Sequence, residues 1–285
     1  MNQGNTMTDL IQDIARSLDS GSVIPYMGPD MLALCADVKV PATPLALAES
    51  MTAKVSVPHK IRKRLTQAAQ FIENFKHRKS VVHLMNEAFA ATPAPSPLQL
   101  ALAASNAGLW VDTWYDDSFA AALKATPGEW SQVQGLSQSE HFGDWTGAYA
   151  ADGSLLPDHP AVAERLLYKP LGSHGPSSNY LVSDSDYVEV LTEIDIQTPI
   201  PVAVQAHRTG RSFLFLGCRF DDQLTRCFAR QIMKRSSERH WAVLPEEPTR
   251  MEARFLAEQN ITRIAMPLAA FSESLIAAMQ AEVTA

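Results

Sequence analysis

Four short segments of this 285-residue sequence gather the side chains able to do chemistry. Gly28-Pro29-Asp30 offers a tight turn and a carboxylate. Asp112-Thr113-Trp114-Tyr115-Asp116-Asp117 offers a hydroxyl and a cluster of carboxylates. Pro170-Leu171-Gly172-Ser173-His174-Gly175 contains an imidazole, which titrates near neutrality and so suits general-base work. Gly217-Cys218-Arg219-Phe220-Asp221-Asp222 adds a thiol and two more acids. Each also has a plainer reading. Asp116 and Asp117, like Asp221 and Asp222, are what the first turn of a helix favours. His174, between glycine and serine, reads equally as an exposed loop imidazole. Cys218 reads as a small packed residue before it reads as a reactive thiol. Other chemistries lack their residues. His59, His77 and His83 include no pair three or four apart, as a helical metal site requires, and Cys35, Cys218 and Cys227 form no CxxC pair. There is no GxSxG elbow and no Walker lysine.

These segments follow apolar runs. Leu10, Ile11, Ile14, Ala15 and Leu18 predict an amphipathic helix stopped by Gly21. Val23–Met27 reads as a buried strand that turns at Gly28-Pro29 into a helix near Asp30, with Pro25 expected at a strand end or sheet edge. From Pro44 to Ala91 the pattern is helical. Ile61, Leu65, Ala68, Ile72 and Phe75 mark one face of a helix whose other face is basic; Val81, Val82, Met85 and Phe89 mark the next. Ser96-Pro97 starts a helix through Ala107. Strands are expected over 108–113, 165–169, 180–182, 212–217, 241–244 and 261–266, with helices over 117–123, 185–193, 202–208, 221–233, 247–259 and 269–281. The segment Gly128–Gly153, with its Gly, Ser, Gln and Trp, reads as irregular. Continuous apolar strands alternating with helices imply a parallel sheet buried on both faces. The expected fold is therefore α/β, Rossmann-like and doubly wound, with a mainly parallel sheet. One domain should span 1–285, with a helical insertion at 41–96 after the first strand. In such a sheet, ligands bind outside the carboxyl ends of the strands, where the four segments fall.

In order, these segments resemble the SIR2-like family, the sirtuin-type NAD-consuming fold. VIPYMGPDML stands where the family has a GAGxS turn before a helical insertion, and VDTWYDDS where it has TTNxD or TQNxD. LLYKPLGSHG, with VSDSDY downstream, stands at the Leu-His-Gly element, and FLFLGCRFDD at the late GxS strand end. The resemblance runs from Leu10 to Leu275 and is closest to the short bacterial members without a zinc ribbon. It implies a vestigial NAD crevice at Gly28, Asp30, Thr113, Asp116, Gly217 and Cys218. It also implies damage. Asp30 replaces the second glycine and Leu32 the serine, while Pro29 removes an amide donor. Trp114 replaces the asparagine that holds the nicotinamide ribose; an indole has one donor and no acceptor, and is expected to fill the sugar's space. The histidine base falls on Leu171 if Lys169 and Pro176 stay in register, or on His174 after a three-residue shift. Both registers stay open.

The expectation is a catalytically degenerate SIR2-like protein acting as a non-enzymatic, protein-binding regulatory module without a cofactor or metal. Such degenerate forms resemble accessory factors of larger enzyme complexes, nitrogenase-associated factors among them, although no residue here points to nitrogenase. The alternatives are an NAD hydrolase or ADP-ribose-processing enzyme using His174 and Asp116, and a nucleotide sensor that binds NAD or ADP-ribose without turnover. Charge points to a docking surface. Lys54 to Lys79 holds eight basic residues against Glu73, a local +7 that leaves the remainder at −14. Lys60, Arg62, Lys63 and Arg64 would face an acidic partner protein. Trp130 and Trp145, with Phe142 and Tyr149, would form a second contact. The acidic remainder argues against nucleic acid. No run of 18 apolar residues argues for a membrane span. An N-terminal stretch without a basic cluster, and an odd cysteine count, suggest the cytoplasm.

Overall fold

The structure, a computed structural model, describes residues 3–157, 165–196 and 200–283; the expected domain limits at 1 and 285 fall outside these. The chain runs α1 (Gln3–Asp19), β1 (Val23–Met27), a 3-10 turn (Pro29–Leu34), α2 (Pro44–Lys54), α3 (Leu65–Lys76), α4 (Arg78–Ala88) and α5 (Pro97–Ala104). It continues through β2 (Leu109–Asp112), α6 (Ser118–Lys124), β3 (Ser131–Gly135), β4 (Thr146–Ala150), β5 (Leu155–Leu156) and β6 (Leu166–Lys169). Then follow β7 (Gly172–Ser173), β8 (Asn179–Tyr180), α7 (Asp184–Ile196), α8 (Val202–Arg208), β9 (Ser212–Leu216), α9 (Gln223–Ile232), β10 (His240–Val243), α10 (Arg250–Glu258), β11 (Ile261–Ile264) and α11 (Leu268–Val283).

The nine-stranded sheet has the order β11-β10-β9-β1-β2-β6-β3-β4-β5. Pairing is parallel from β11 to β3, and β4 and β5 add antiparallel. Alternating residues of each strand serve opposite faces. Ile24, Tyr26, Val111, Tyr168, Phe213 and Phe215 pack beneath the helices after β1 and those flanking β9, with Leu47, Ile72, Met85, Phe228 and Phe255. Val23, Met27, Trp110, Leu167, Leu214 and Trp241 pack with Ile14 of α1, Leu102 of α5, Phe119 of α6 and Phe271 of α11. The expected α/β, mainly parallel, Rossmann-like architecture is what the chain adopts.

Several local expectations change. Pro25 lies in a central strand rather than at an edge. β1 pairs with β9 along its whole length but with β2 only from Tyr26 onward, so the missing amide falls before the second ladder begins. After Gly28-Pro29 the chain makes a 3-10 turn, not an α-helix. The 128–153 segment is not irregular: β3 and β4 form an antiparallel hairpin from Ser131↔Ala150 to Gly135↔Thr146. Tyr180 belongs to a separate two-residue pairing with β7.

The basic segment is not one helical face. Residues 55–64 form turns and coil between α2 and α3. Lys54 pairs with Glu87 at 2.9 Å and Lys63 with Glu49 at 3.6 Å. Arg78 turns inward and is buried. Its guanidinium meets Asp186 at 2.9 Å, Glu140 at 3.0 Å and Glu73 at 3.5 Å, and donates to the Tyr180 carbonyl. One side chain thereby ties α3, the β3–β4 turn, β8 and α7. Removing one partner of such a buried cluster is costly, because the remaining charges lie away from water.

Candidate functional site

The carboxyl ends of β1, β2, β6 and β9 open into a cavity of about 670 Å³, closed on its far side by residues 43–45 and the start of α3. Volumes of this size hold small-molecule ligands. β1 and β9 are neighbours, and β1 leads on to β2 on one flank while β9 leads on to β10 on the other, which leaves a crevice at their ends.

The turn after β1 has spent its amides. Gly28 donates to the Leu216 carbonyl at 2.9 Å, Asp30 to that of Gly217 at 3.1 Å and Met31 to that of Gly28 at 3.2 Å. Pro29 has no amide hydrogen. The glycines serve packing. A Cβ on Gly28 would collide with the Gly217 carbonyl oxygen, and one on Gly217 would stand 2.6 Å from the Met31 nitrogen, at a φ of +63° that disfavours other residues. Burial pushes the Asp30 carboxyl pKa up, against the pull of Arg219.

In the second segment the indole of Trp114 is part of the wall, 4% exposed, and its Nε1 donates to the Pro41 carbonyl at 2.8 Å. Its ring meets Phe89 edge-on at 5.9 Å. The crevice beside it is open. Thr113 lines the cavity, but its hydroxyl donates to the Met27 carbonyl at 2.9 Å. Asp116 does not line it. Its carboxylate accepts the Ser118 amide at 2.9 Å, at the start of α6, while the Asp117 carboxylate accepts Ser173 Oγ at 2.8 Å and the Gly175 amide at 3.1 Å.

Beneath this loop lies a buried pair that sequence reasoning missed. Lys169 Nζ meets Asp112 Oδ2 at 2.7 Å and donates to the Asp116 carbonyl at 2.7 Å, while Asp112 Oδ1 accepts the Trp114 amide at 3.0 Å. Burial raises the Asp112 pKa to about 6, with Lys169 opposing and Asp116 adding to the rise. The pair holds the segment carrying Thr113 and Trp114. A lysine closing the apolar run Leu166-Leu167-Tyr168-Lys169 was the available signal, since a buried ammonium needs a partner.

Leu171 lines the cavity and His174 does not. The His174 amide donates to the Tyr115 carbonyl at 2.9 Å, and Nδ1 lies 3.1 Å from the Tyr180 hydroxyl, which donates to Asn86 at 2.7 Å. No histidine is among the described residues lining the cavity. Cys218 does line it but is buried, with its sulfur 3.5 Å from the Tyr26 and Leu216 carbonyls. Burial raises its pKa well above the usual thiol value, which keeps it protonated and unreactive.

At the opposite rim, Arg219 grips Glu252 through Nε at 3.0 Å and Nη2 at 3.1 Å, and reaches Glu246 at 2.6 Å. Burial would raise the Glu252 pKa, but Arg219 and the Thr249 and Phe220 amides outweigh it and hold it at about 2. Thr249 and Glu252 form a capping box, a pattern legible in the sequence.

The expected docking residues separate. Lys60 and Arg62 are exposed; Lys63 and Arg64 are exposed but line the cavity. Trp130 is 7% exposed and packed in the core beside β3, which removes it from any contact surface, and Trp145 is half-buried against the core. Phe142, in the β3–β4 turn, is the residue that projects, at 95% exposure. Among the described residues no cluster of three His, Cys, Asp or Glu could hold a metal ion, and no helix is long and apolar enough to cross a membrane.

No curated protein matches the chain. Residues 108–264, more than half of the sequence and the span from β2 to β11, match the family described as the SIR2-like domain. With the parallel sheet and the crevice at its carboxyl edge, this identifies the chain as a member of the SIR2-like domain family.

Proposed function

We propose that this chain is a catalytically degenerate SIR2-like module that works by binding, as a regulatory accessory to a larger enzyme complex, and does not turn over NAD. One observation carries the reading: the crevice wall offers Leu171 and Trp114 where NAD chemistry needs an imidazole and a carboxamide, and no histidine is among the described residues that line it. The β1 turn also does not fit a pyrophosphate in the family's manner, because its amides are committed to the β9 end and to the turn itself. Losing one general-acid–base group costs about 10²–10⁴ in rate, and groups that act together lose more.

Purified protein incubated with NAD should release nicotinamide no faster than a buffer blank. Release above the blank that vanishes in His174→Ala would refute the reading and favour hydrolysis. For the accessory role, Lys60 and Arg62 supply the positive surface for an acidic partner, with Phe142 as the projecting aromatic. Reversing both charges should abolish partner capture. A second reading, ligand holding without turnover, is favoured by the open cavity itself. Saturable binding of ADP-ribose without consumption of NAD would support it.

A further inference from the structure

The sheet edge opposite the crevice, where β9 and β10 begin, gathers arginines. Residues 207–212 and 233–240 hold five cations and one acid, Glu238. The two loops are knitted together. The Gly210 amide donates to the Arg235 carbonyl at 3.1 Å, the Ser237 amide donates to the Arg211 carbonyl at 2.9 Å, and the Ser212 and Ser237 hydroxyls lie 2.9 Å apart. Arg211 is steadied by a bond from Nη1 to the His207 carbonyl, and Arg239 lies over the Trp241 ring, 5.1 Å from its centroid. Arg235 and Arg239 are exposed and Arg211 is half-buried. Among the described residues, none of these three meets a carboxylate.

A fourth arginine makes the excess deeper. Arg208 is 3% exposed. Its Nη1 donates to the Gln231 and Ile232 carbonyls at 2.7 and 3.0 Å, yet its Nε meets no acceptor among the described residues. A buried cation ordinarily has a carboxylate beside it; this one leans on the carbonyl end of α9. Burial lowers its pKa, and Arg235 adds to the fall while Tyr168 opposes it. Like charges held in two joined loops disfavour one another, and an arriving anion relieves them.

The borders of the patch select the anion. The amides of Ser236, Ser237 and Arg239 are taken, by the Met233 carbonyl, the Arg211 carbonyl and Ser237 Oγ, so recognition falls to the guanidinium forks rather than to a backbone nest. In the order β11-β10-β9-β1 the patch spans the starts of two strands. Toward β1 it ends at the exposed Asp19 that closes α1, and toward β11 at Glu258, which already holds Arg230 at 3.3 Å and Arg254 at 2.6 Å. A nucleic-acid backbone carries its charge past such limits and meets Asp19, whereas a short run of Asp or Glu stays within them.

We infer that this edge docks a short acidic segment of another protein, its carboxylates received by Arg211, Arg235 and Arg239. The inference goes beyond the accessory role argued from Lys60 and Arg62, because it uses a different face.

Fluorescence anisotropy of a labelled decaglutamate peptide with the full chain at low salt tests it. The host chain carries Lys60→Glu and Arg62→Glu, which silences the other basic face. Decaglutamate should bind this host saturably, decaglutamine should not, and added salt should weaken the complex. Adding Arg235→Glu and Arg239→Glu should weaken binding about tenfold or more, as expected for lost charge-assisted contacts. Arg235→Glu should unfold at or above the host's urea midpoint, because it removes a like charge beside Arg208, so its weaker binding reports the contact rather than the fold. Unchanged affinity after the Arg235 and Arg239 reversals, or no saturable binding to the host at concentrations on the order of 1 mM, overturns the inference. Decathymidylate binding more tightly than the peptide, and lost with the same reversals, would overturn it in favour of nucleic acid. Sedimentation showing wild-type dimers that these reversals dissolve would overturn it in favour of a second copy of the chain.

Discussion

Replacing Lys169 with methionine isolates the buried charge beneath the crevice. In the wild type, Asp112 is held at about 6 against an ordinary 3.8, so its ionised form is disfavoured even with Lys169 at 2.7 Å. That rise corresponds to about 3 kcal/mol. Methionine fills the lysine's apolar stem but removes the opposing ammonium, leaving a carboxylate in a site from which water is excluded. Breaking a buried pair in this way costs about 3–5 kcal/mol. The sign with pH follows from the raised pKa: the native state takes up a proton that the unfolded state does not, so Asp112 weighs against folding above about 6 and is relieved as pH falls toward 3.8. Without Lys169 its pKa climbs further, and relief begins at higher pH. Urea unfolding followed by tryptophan fluorescence should show the loss in Lys169→Met at pH 7.5 and a clearly smaller loss at pH 5. Adding Asp112→Asn should recover most of the stability, as a double-mutant cycle requires of a coupled pair. A loss under about 1 kcal/mol at pH 7.5, or an equal loss at both pH values, would refute the assignment of the cost to an unpaired Asp112.

Three further outcomes are expected. His240 is buried, its Nδ1 accepts the Phe213 amide at 2.9 Å, and burial lowers its pKa to about 4. Its neutral form therefore adds stability above 6.5 that is lost as pH falls toward 4; an NMR titration of this ring with a midpoint near 6.5 would contradict that. Gly217→Ala should cost at least about 2 kcal/mol in urea unfolding, since the new Cβ meets the Met31 backbone at a left-handed φ. Glu252→Ala should cost about 3 kcal/mol, because Arg219 and the Phe220 and Thr249 amides lose a shared acceptor; a change within 0.5 kcal/mol would contradict it.

Much of the architecture was legible because short apolar runs such as Phe213–Leu216 and Leu166–Tyr168, set between turn residues and helical segments, fit strands buried on both faces. The β3–β4 hairpin was not. Gln132, Gln134 and Gly135 break the apolar pattern because their partners are polar: the side-chain amides of Gln132 and Gln134 donate to the Gly175 carbonyl at 3.1 and 2.6 Å. Pro25 misled for a similar reason, since only the pairing order shows that one ladder starts late. Of the site, the carboxyl-end segments were readable from turn chemistry, but the places of Lys63 and Arg64 were not. Their spacing marks a solvated surface, and only the fold brings that turn over the crevice. Leu171 and His174 could not be ranked by spacing alone, because the side chain that reaches the cavity depends on how β6 ends.

The margins of the sheet constrain how anything could attach to this protein. One edge strand, β5, has two residues and the other, β11, has four, with the Arg263 guanidinium bonded to the Leu244 carbonyl at 3.0 Å and to Glu247 at 2.7 Å. Among the described residues, neither offers a run of open main-chain groups long enough to template an incoming strand. Any associating protein would have to recognise side chains and hollows, so exchanging single surface residues should suffice to break or redirect its attachment.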